Sequence, residues 1–376
     1  MRKKSRKKIS FTDILNALSL RQRRNLQQKI LQWYLFSRRQ LPWRETSDPY
    51  AIWISEVMLQ QTQTAKVLQY YGAFLQRFPT IAALAQAEIS EVLKAWEGMG
   101  YYARARNLHR AAKQIVQAYG DELPPEYEKL LTITGIGPYT AAAVASIAFN
   151  QDYAVLDGNV ARVLSRIFLI TLPPKNASAK KIFQEVATGF LLKGRAKDWN
   201  QALMELGATV CSPQRPNCES CPAHRHCRGY NELEKPEQLP VRLPKAARPH
   251  YHMAVGLVWK GAKLLIDQRK EEALLGGLWE FPGGKIGLRE TPEEALRRGL
   301  REDLAIEVEV EEFFMHVEHG FTHFSVTLHV YHCRHLNGRP QAPGCQKWQW
   351  ALPEEFDRLA FSSAHRKIIS ALRPLV

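Results

Sequence analysis

The chain has 376 residues, and its 45% hydrophobic and 24% charged content is typical of a globular protein. Its formal net charge is +15, and six positive side chains with no acid fall within residues 1–8. The rest of the chain is also basic, which favours a nucleic acid partner over a membrane surface. The longest apolar run, residues 141–149, is too short to cross a bilayer, and Asp13 and Asn16 argue against a secretory signal. We therefore expect a cytoplasmic protein.

The residue pattern divides the chain into four parts. Residues 1–8 are predicted to be a basic, disordered tail, and residues 9–230 carry helical periodicity. Residues 231–250 are polar and contain four prolines, which is typical of a linker. From residue 251 to 376 the hydrophobic period changes to two. The length allows each of the two larger parts to bury its own core, so we expect an all-α domain followed by an α+β domain.

Within the first domain, apolar spacing predicts a series of helices. They cover residues 9–40, 50–71, 81–85, 89–96, 104–119, 126–133, 140–149, 160–169, 179–192 and 199–209. Glu56 lies on the second helix, with Ile52, Trp53 and Leu59 about one turn away. A carboxyl group among apolar neighbours has a raised pKa, although an exposed surface glutamate is the simpler interpretation of this residue alone.

Two glycine-containing turns separate these helices. The segment Gly98-Met99-Gly100-Tyr101-Tyr102 combines aromatic rings with nearby arginines, a mixture suited to unstacked bases and phosphates, or else it is a plain turn with core tyrosines. Later in the chain, Gly135 and Gly137 flank Ile136, where glycine widens the backbone conformations and leaves helix amides accessible to a phosphate.

Asp157 follows the second turn by twenty residues and opens another helix. Taken singly, the Gly135–Gly137 turn indicates a tight helix–helix connection, and Asp157 indicates a helix N-cap. Together they predict a helix-hairpin-helix that grips a DNA strand, with a carboxylate delivered beside it.

Four of the six cysteines lie close together. Cys211, Cys218, Cys221 and Cys227 have the spacing C-x6-C-x2-C-x5-C, which indicates a ligand cluster rather than a secreted disulfide framework. The candidates are zinc and an iron–sulfur cluster. Zinc sites usually contain two Cys-x2-Cys pairs, whereas this segment contains one.

The pattern of residues 251–376 predicts strands around one helix. Residues 253–259 and 263–267 predict a hairpin, and further strands are predicted at 306–310, 324–333 and 347–350. Between them, Thr291, Pro292 and Glu294 form the pattern of a capping box at the start of a helix.

These features together resemble the MutY family of adenine DNA glycosylases, in the endonuclease III superfamily. The sharpest motifs are W-I-S-E-V-M-L-Q-Q-T-Q, W-E-G-M-G-Y-Y, G-I-G-P-Y-T-A and V-L-D-G-N-V, and the resemblance runs from about residue 41 through the C-terminal domain. It implies a helix-hairpin-helix glycosylase domain with a [4Fe–4S] cluster loop at 211–227, and a Nudix-like domain that recognises 8-oxoguanine. It also implies a monomer at the bacterial nucleoid whose partner is double-stranded DNA with A:8-oxoguanine or A:G mispairs.

Cleavage of the adenine N-glycosidic bond needs one neutral carboxylic acid and one carboxylate beside an oxocarbenium-like sugar. The resemblance implies that Glu56 protonates adenine N7. Asp157, at a helix N-terminus whose amides favour its anion, suits the stabiliser, so the two pKa values should be pushed apart. Tyr139 and Asn159 are expected to support Asp157.

The resemblance also implies binding residues. The expected roles are pocket walls for Trp43 and Arg44, a duplex wedge for Gln61 and Tyr101, opposite-strand contacts for Thr62 and Met99, a phosphate grip for Gly135 and Gly137, and a water or adenine contact for Glu205.

Tyr139 bears on a rival enzyme class. Bifunctional relatives carry at this position a lysine that forms a Schiff base and nicks the strand, and tyrosine has no amine. The sequence therefore predicts a monofunctional glycosylase, with a bifunctional glycosylase/lyase as the alternative.

The second rival is an active Nudix pyrophosphohydrolase with a DNA-binding domain. The segment from Gly284 to Ile306 resembles the Nudix box, but Gly299 replaces its first glutamate and Ala305 its glycine. Losing that acid should cripple a metal site. Phe321-Thr322-His323 resembles the Phe-Ser-His loop of the family, so Thr322 and His323 are expected to meet the damaged base, although a polar residue at a strand start is the plain alternative.

Overall fold

Helices form all the regular structure before His250 in the computed structural model, which describes residues 10–244 and 247–373. The predicted basic tail, residues 1–8, lies outside the described residues. The helices are α1 (Phe11–Asn16), α2 (Leu20–Ser37), α3 (Pro49–Leu59), α4 (Thr64–Arg77), α5 (Ile81–Gln86), α6 (Ile89–Ala95), α7 (Ala103–Tyr119), α8 (Tyr127–Leu131), α9 (Pro138–Ile147), α10 (Gly158–Ile167), α11 (Ala177–Gly189), α12 (Ala196–Thr209) and α13 (Arg228–Glu232). The predicted helical part is confirmed.

Two long predicted helices are each divided in two. Ser19 and Gln22 form a capping box that starts α2, which separates it from α1. The helix predicted over 50–71 ends at Leu59 and resumes at Thr64, because the chain turns at Gln61, whose φ is 57°. The apolar periodicity continues through both breaks, so periodicity alone did not reveal them.

The chain forms two compact units. Unit 1 combines the described residues up to Tyr71 with those from Gln114 to 244. Unit 2 combines Gly72–Lys113 with the described residues from 247 onward. The domain borders expected from composition, at 230/231 and 250/251, stay a prediction.

The described part of unit 1 includes a larger and a smaller cluster of buried side chains. In the larger cluster, the rings of Phe168 and Phe190, which follow α10 and α11, pack edge to face with each other and with Trp199 of α12; the Phe190 centroid is 5.1 Å from each of the other two. In the smaller, small residues of α9 such as Ala142 and Ala143 pack with Ile52 of α3. This close approach brings the start of α9 beside the middle of α3.

Unit 2 contains a mixed seven-stranded sheet. Its strands are β1 (His250–Lys260), β2 (Lys263–Gln268), β3 (Trp279–Glu280), β4 (Gly283–Lys285), β5 (Glu307–Gly320), β6 (Ser325–Asn337) and β7 (Lys347–Ala351). The order is β3-β2-β1-β6-β5, with β4 also paired to β1 and β7 to β2; β1 and β6 are parallel, whereas the other pairs are antiparallel.

Two further helices cover the sheet. The first, α14 (Pro292–Leu304), packs through Leu296 and Leu300 on one face, and α15 (Ser363–Leu372) packs through Ile368 on the other. The predicted capping box at Thr291 is present. The α+β expectation for this part of the chain is therefore confirmed.

Candidate active site

Glu56 lies on α3, a helix whose residues from Tyr50 to Met58 are all buried. Asp48 caps this helix by accepting the Tyr50 amide at 3.0 Å. The helix carries the Glu56 carboxyl group into the interior, where only 4% of the residue is exposed. Burial raises the pKa of Glu56 to about 7, although a hydrogen bond from Tyr139 acts in the opposite direction. The raised pKa agrees with the expectation from its apolar neighbours.

Tyr139 is the second residue of α9, and its side chain faces α3. Its hydroxyl donates a hydrogen bond to Glu56 Oε2 at 2.7 Å. The hydrogen bond expected on Asp157 therefore lies on Glu56 instead, because the packing of α9 against α3 directs the phenol there. Burial, and then the negative charge of Glu56, raise the pKa of Tyr139 well above its usual range, so the phenol stays a donor.

Asp157 caps α10. Its Oδ1 accepts the Val160 amide at 2.6 Å and its Oδ2 accepts Asn159 Nδ2 at 3.1 Å. Burial nevertheless raises the pKa of Asp157, in spite of these hydrogen bonds and of the Arg162 charge. Both carboxyl pKa values are therefore raised, because desolvation outweighs the helix amides at Asp157, and the expected separation of the two values stays a prediction.

Sequence reasoning missed Arg162 and Gly207, which hold Asn159. Arg162 Nη2 donates to Asn159 Oδ1 and to the Gly207 carbonyl oxygen, both at 2.7 Å. A Cβ at Gly207 would lie 2.7 Å from the Asn159 Cβ, so glycine is what allows α12 to approach α10 this closely. The available signal was an arginine set between Ala161 and Val163 in an apolar stretch, which indicates a buried cation with partners.

Glu205 on α12 is 1% exposed and is held by two arginines. Arg39 donates from Nε and Nη2 at 2.8 and 2.6 Å, and Arg44 donates from Nη2 at 2.7 Å. Burial alone would raise the pKa of Glu205, but these hydrogen bonds outweigh it and lower the pKa to about 2. Glu205 is therefore an anion, and its expected role toward water or adenine stays a prediction. Nothing in the sequence distinguished Arg39 from Arg38.

These side chains surround one pocket of ≈150 Å³. Its lining includes Trp43, Arg44, Glu56, Thr62, Tyr139, Asp157, Asn159 and Glu205. Trp43 is buried and packs edge-on against Tyr71, with ring centroids 5.3 Å apart. A groove of ≈840 Å³ shares Tyr139, Asp157 and Asn159 with the pocket, so the two spaces adjoin.

The same groove is lined by Gly135, Gly137 and Gln61. Gly135 has φ 78°, a left-handed conformation that favours glycine. Gly137 instead has φ −89° as the N-cap of α9, so the conformational reason expected for it is wrong. A Cβ at Gly137 would meet no atom within 4 Å, and the position is open at the start of the helix. This is the arrangement expected where helix amides face an anion.

Unit 2 holds the other predicted binding residues. Tyr101, in the turn between α6 and α7, makes a hydrogen bond between its hydroxyl and Thr322 Oγ1. Thr322 and His323 are exposed at the tip of the β5–β6 hairpin, where Phe321 N donates to Phe324 O at 2.8 Å. Tyr101 has φ 49° and Gln61 has φ 57°, so both predicted wedge residues have left-handed backbones of the kind found at functional sites.

Met99, which is expected to lie against the opposite strand, is in the turn between α6 and α7. It is 5% exposed, because the chain turns at Gly98 and Gly100, with φ 87° and 75°, and the side chain between them faces inward. Little of the Met99 side chain is therefore accessible, and its expected contact with the opposite strand stays a prediction.

The Nudix-like box is closed by packing and ion pairs. A Cβ at Gly299 would lie 2.7 Å from the Gly283 carbonyl oxygen. Any side chain larger than that of glycine would therefore require β4 to move. Arg298 donates to Glu290 at 2.8 and 2.9 Å and to Glu302 at 3.0 Å, which occupies two of the remaining acids. Ala305 has φ 56°, a conformation that explains glycine at this place in the box.

The four clustered cysteines line one small pocket between α10, α13 and the loop at 211–227. Arg166 Nη1 lies 3.2 Å from Cys211 Sγ, and the Ala223 amide donates to Cys221 Sγ at 3.4 Å. Within residues 10–244 and 247–373, no three His, Cys, Asp or Glu side chains are placed to hold a single metal ion. Four thiols around one pocket, two of them with hydrogen-bond donors near the sulfur, are the kind of ligand set that a four-thiolate cluster uses.

Comparison with known proteins identifies the family. Residues 54–188 match the "HhH-GPD superfamily base excision DNA repair protein" family, and residues 254–371 match the "NUDIX domain" family. The "Adenine DNA glycosylase" of Homo sapiens is 34% identical, over 90% of this chain and 72% of its own length. The chain belongs to the adenine DNA glycosylase family. It is therefore a base excision repair enzyme that acts on adenine.

Two further proteins are similar to this chain. The "Adenine DNA glycosylase" of Mus musculus is 33% identical, over 95% of this chain and 78% of its own. Among solved structures, "Structure of a thermostable thymine-DNA glycosylase" matches 57% of this chain and 98% of that chain, at 30% identity and a TM-score of 0.51. None of the described helices in this adenine DNA glycosylase has the length and apolar character needed to cross a membrane.

Proposed function

We propose that this adenine DNA glycosylase removes adenine mispaired with 8-oxoguanine or guanine in duplex DNA. The observation that carries the mechanism is the pairing of two buried carboxyl groups at one pocket. Glu56, with a pKa of about 7, retains its proton over much of the neutral range. Burial raises the pKa of Asp157, but two accepted hydrogen bonds and the Arg162 charge oppose that rise, and we assign it the role of the anion. One acid and one anion are what glycosidic cleavage requires.

In the proposed reaction, adenine leaves the base stack and enters the pocket. Glu56 donates its proton to adenine N7, and the bond between C1′ and N9 breaks with its electron pair leaving on the base. The positive charge that develops on the sugar lies beside the Asp157 carboxylate. Water adds to C1′ and its proton returns to Glu56, which leaves an abasic site and free adenine.

We assign the duplex contacts to residues with exposed or groove-facing positions. Gly135 and Gly137 would hold a phosphate, Gln61 and Tyr101 would fill the space left by adenine, and Thr322 with His323 would contact 8-oxoguanine. Trp43 and Arg44 would form walls around the flipped base, and Thr62 would lie against the opposite strand. The monomeric state and the place at a bacterial nucleoid remain predictions.

Tyr139 supports the monofunctional reading. A Schiff base needs an amine, and this buried phenol is instead a donor to Glu56. The pyrophosphohydrolase alternative is disfavoured by Gly299, where backbone packing leaves no space for the missing glutamate.

We also propose a [4Fe–4S] cluster on Cys211, Cys218, Cys221 and Cys227. When bound, the cluster would cross-link the loop at 211–227 through four iron–sulfur bonds. Arg166 would then lie beside the Cys211 ligand, and Arg162, which donates to the Cys211 carbonyl oxygen at 2.8 Å, would connect this loop to Asn159.

The test is single-turnover incubation with a duplex that holds one adenine opposite 8-oxoguanine, with and without hot alkali before the strand is sized. We expect a cut at adenine only after alkali. A cut without alkali would contradict the monofunctional assignment. Absence of base removal by protein with full iron content would contradict the proposed substrate, and the Nudix-like domain would be assayed next with oxidised nucleotides.

A further inference from the structure

Among the described residues, two side chains of the turn between α6 and α7 contact the C-terminal part of unit 2, while Lys94 on α6 and Arg106 on α7 also donate hydrogen bonds to carbonyl oxygens there. The first of the two turn side chains is Tyr101, which shares a hydrogen bond with Thr322. The second is Glu97, four residues before Tyr101, whose side chain is 19% exposed. Glu97 therefore stands at the start of the turn that carries a predicted wedge residue.

Glu97 has three charged or amide partners. Its Oε1 accepts the Phe361 amide at 2.8 Å and Arg366 Nε at 2.6 Å, and its Oε2 accepts Lys94 Nζ at 2.6 Å. Lys94 and Arg366 both also donate to the Leu359 carbonyl oxygen, at 3.1 and 2.5 Å. Hydrogen bonds to an ionised group in a partly buried place are the strong ones, so this contact is well defined.

Two of the three partners of Glu97, Phe361 and Arg366, belong to a well-packed part of unit 2 beside the sheet. Phe361 is fully buried, and the preceding Ala360 accepts the Trp279 amide of β3 at 2.8 Å. Arg366 lies on α15, which packs on the sheet. Glu97 thus ties the turn to the same sheet whose β5–β6 hairpin carries Thr322.

The shape of the turn itself depends on other bonds. Trp96 Nε1 and Arg104 Nη2 donate to the Gly100 carbonyl oxygen at 3.2 and 3.1 Å, and the Gly98 amide donates to the Tyr102 hydroxyl at 3.0 Å. None of these bonds involves the Glu97 carboxylate. Neutralising Glu97 should therefore leave the wedge turn folded while loosening its position relative to Thr322.

We propose that Glu97 is a positioning residue that fixes the position of Tyr101 relative to Thr322. It thereby sets the preference for 8-oxoguanine over guanine opposite adenine. This inference rests on the proposed function above. Both substrates use the wedge, whereas only 8-oxoguanine offers the damaged edge that the Thr322 loop is proposed to contact. Loss of this relative position therefore slows the reaction on A:8-oxoguanine more than the reaction on A:G.

The test compares Glu97→Gln with Glu91→Gln, a matched change on α6. Glu91 pairs with Arg77 and is 45% exposed. Single-turnover rates at subsaturating protein would be measured for A:8-oxoguanine and A:G duplexes. We expect Glu97→Gln to lower the rate on A:8-oxoguanine about tenfold while that on A:G changes less than about twofold. Glu91→Gln should change neither rate.

Arg366→Met removes the other partner of the Glu97 ion pair. It should reproduce the selective loss, and the double variant should lose little more than either single one, because the two residues share one interaction. An equal loss on both substrates, or no loss in either variant, would overturn the inference. If the unmodified enzyme removed no adenine, the proposed function would fail instead, and faster hydrogen exchange at the Phe361 amide in Glu97→Gln would still report the contact.

Discussion

The Tyr139 hydroxyl donates to Glu56 and not to Asp157, so the phenol acts on the proposed acid. A donor to a carboxylate favours the ionised form and lowers its pKa. At Glu56 this effect opposes the larger effect of burial, and the balance leaves the pKa at about 7. Tyr139 therefore adjusts how far into the neutral range the acid remains protonated.

Tyr139→Phe removes that hydrogen bond with little change in shape. The pKa of Glu56 should rise, because burial is then less opposed. Since the proposed reaction needs protonated Glu56, the fall in rate on the alkaline side should move to higher pH than in the unmodified enzyme. The measurement is the single-turnover rate across pH 5–9. A fall in rate that occurs at the same pH or at a lower pH than in the unmodified enzyme would contradict this role.

Glu56→Gln should abolish base removal while duplex binding persists, and it should also change the pH dependence of stability. Between pH 4.5 and 7 the folded protein retains a proton on Glu56 that the unfolded chain has released. The free energy of unfolding therefore falls as pH rises through this range. Glutamine does not titrate, so the variant should gain about 3 kcal/mol relative to the unmodified protein between pH 4 and pH 8.

Urea unfolding at pH 4 and pH 8 measures that difference. Equal pH dependence in the two proteins would mean that Glu56 is ionised in the fold or is exposed. Loss of duplex binding together with activity would indicate that Glu56 has a structural role.

Arg44 and Arg39 share Glu205 but differ in exposure, with side chains 7% and 40% exposed. Removing the buried partner leaves a buried carboxylate less compensated. Arg44→Met should therefore reduce the free energy of unfolding by about 3 kcal/mol, and Arg39→Met, the matched control, by about 1 kcal/mol. Chemical denaturation at neutral pH gives both values. A larger loss in Arg39→Met would contradict this order.

Features set by neighbouring residues were predictable from the sequence. The capping box at Thr291, the cap at Asp157 and the desolvation of Glu56 each follow from side chains within one or two turns. The full length of β5 could not be predicted from the sequence, because residues 311–320 alternate poorly between apolar and polar. Pairing with β6 is what extends the strand.

Contacts between residues far apart in the chain also could not be predicted from the sequence. Glu205 meets Arg39 across 166 positions of the chain, and no local pattern selects Arg39 from its neighbour. The direction of the Tyr139 phenol depends on the angle at which α9 packs on α3. The burial of Met99 depends on two positive φ values within one short turn.

Gly207→Ala tests the close approach of α12 to α10. The added methyl group would lie 2.7 Å from the Asn159 Cβ and 3.1 Å from its carbonyl carbon, so Asn159 must move. We expect the rate of base removal to fall about tenfold or more, because Asn159 supports Asp157. Gly72→Ala is the control, since a Cβ there meets no atom within 4 Å. Full activity in Gly207→Ala would show that Asn159 tolerates displacement.

Arg166→Lys tests the support of the cysteine loop. Arg166 is 1% exposed, and its guanidinium reaches Cys211 Sγ, the Ser212 carbonyl oxygen at 2.7 Å and the Leu239 carbonyl oxygen at 2.9 Å. An ammonium group cannot reproduce this fork of donors. Iron content and visible absorbance should therefore fall, whereas Arg228→Lys, in which the replaced arginine pairs only with Glu232 among the described contacts, should retain both. Equal iron in the two variants would mean that the loop holds its ligands without Arg166.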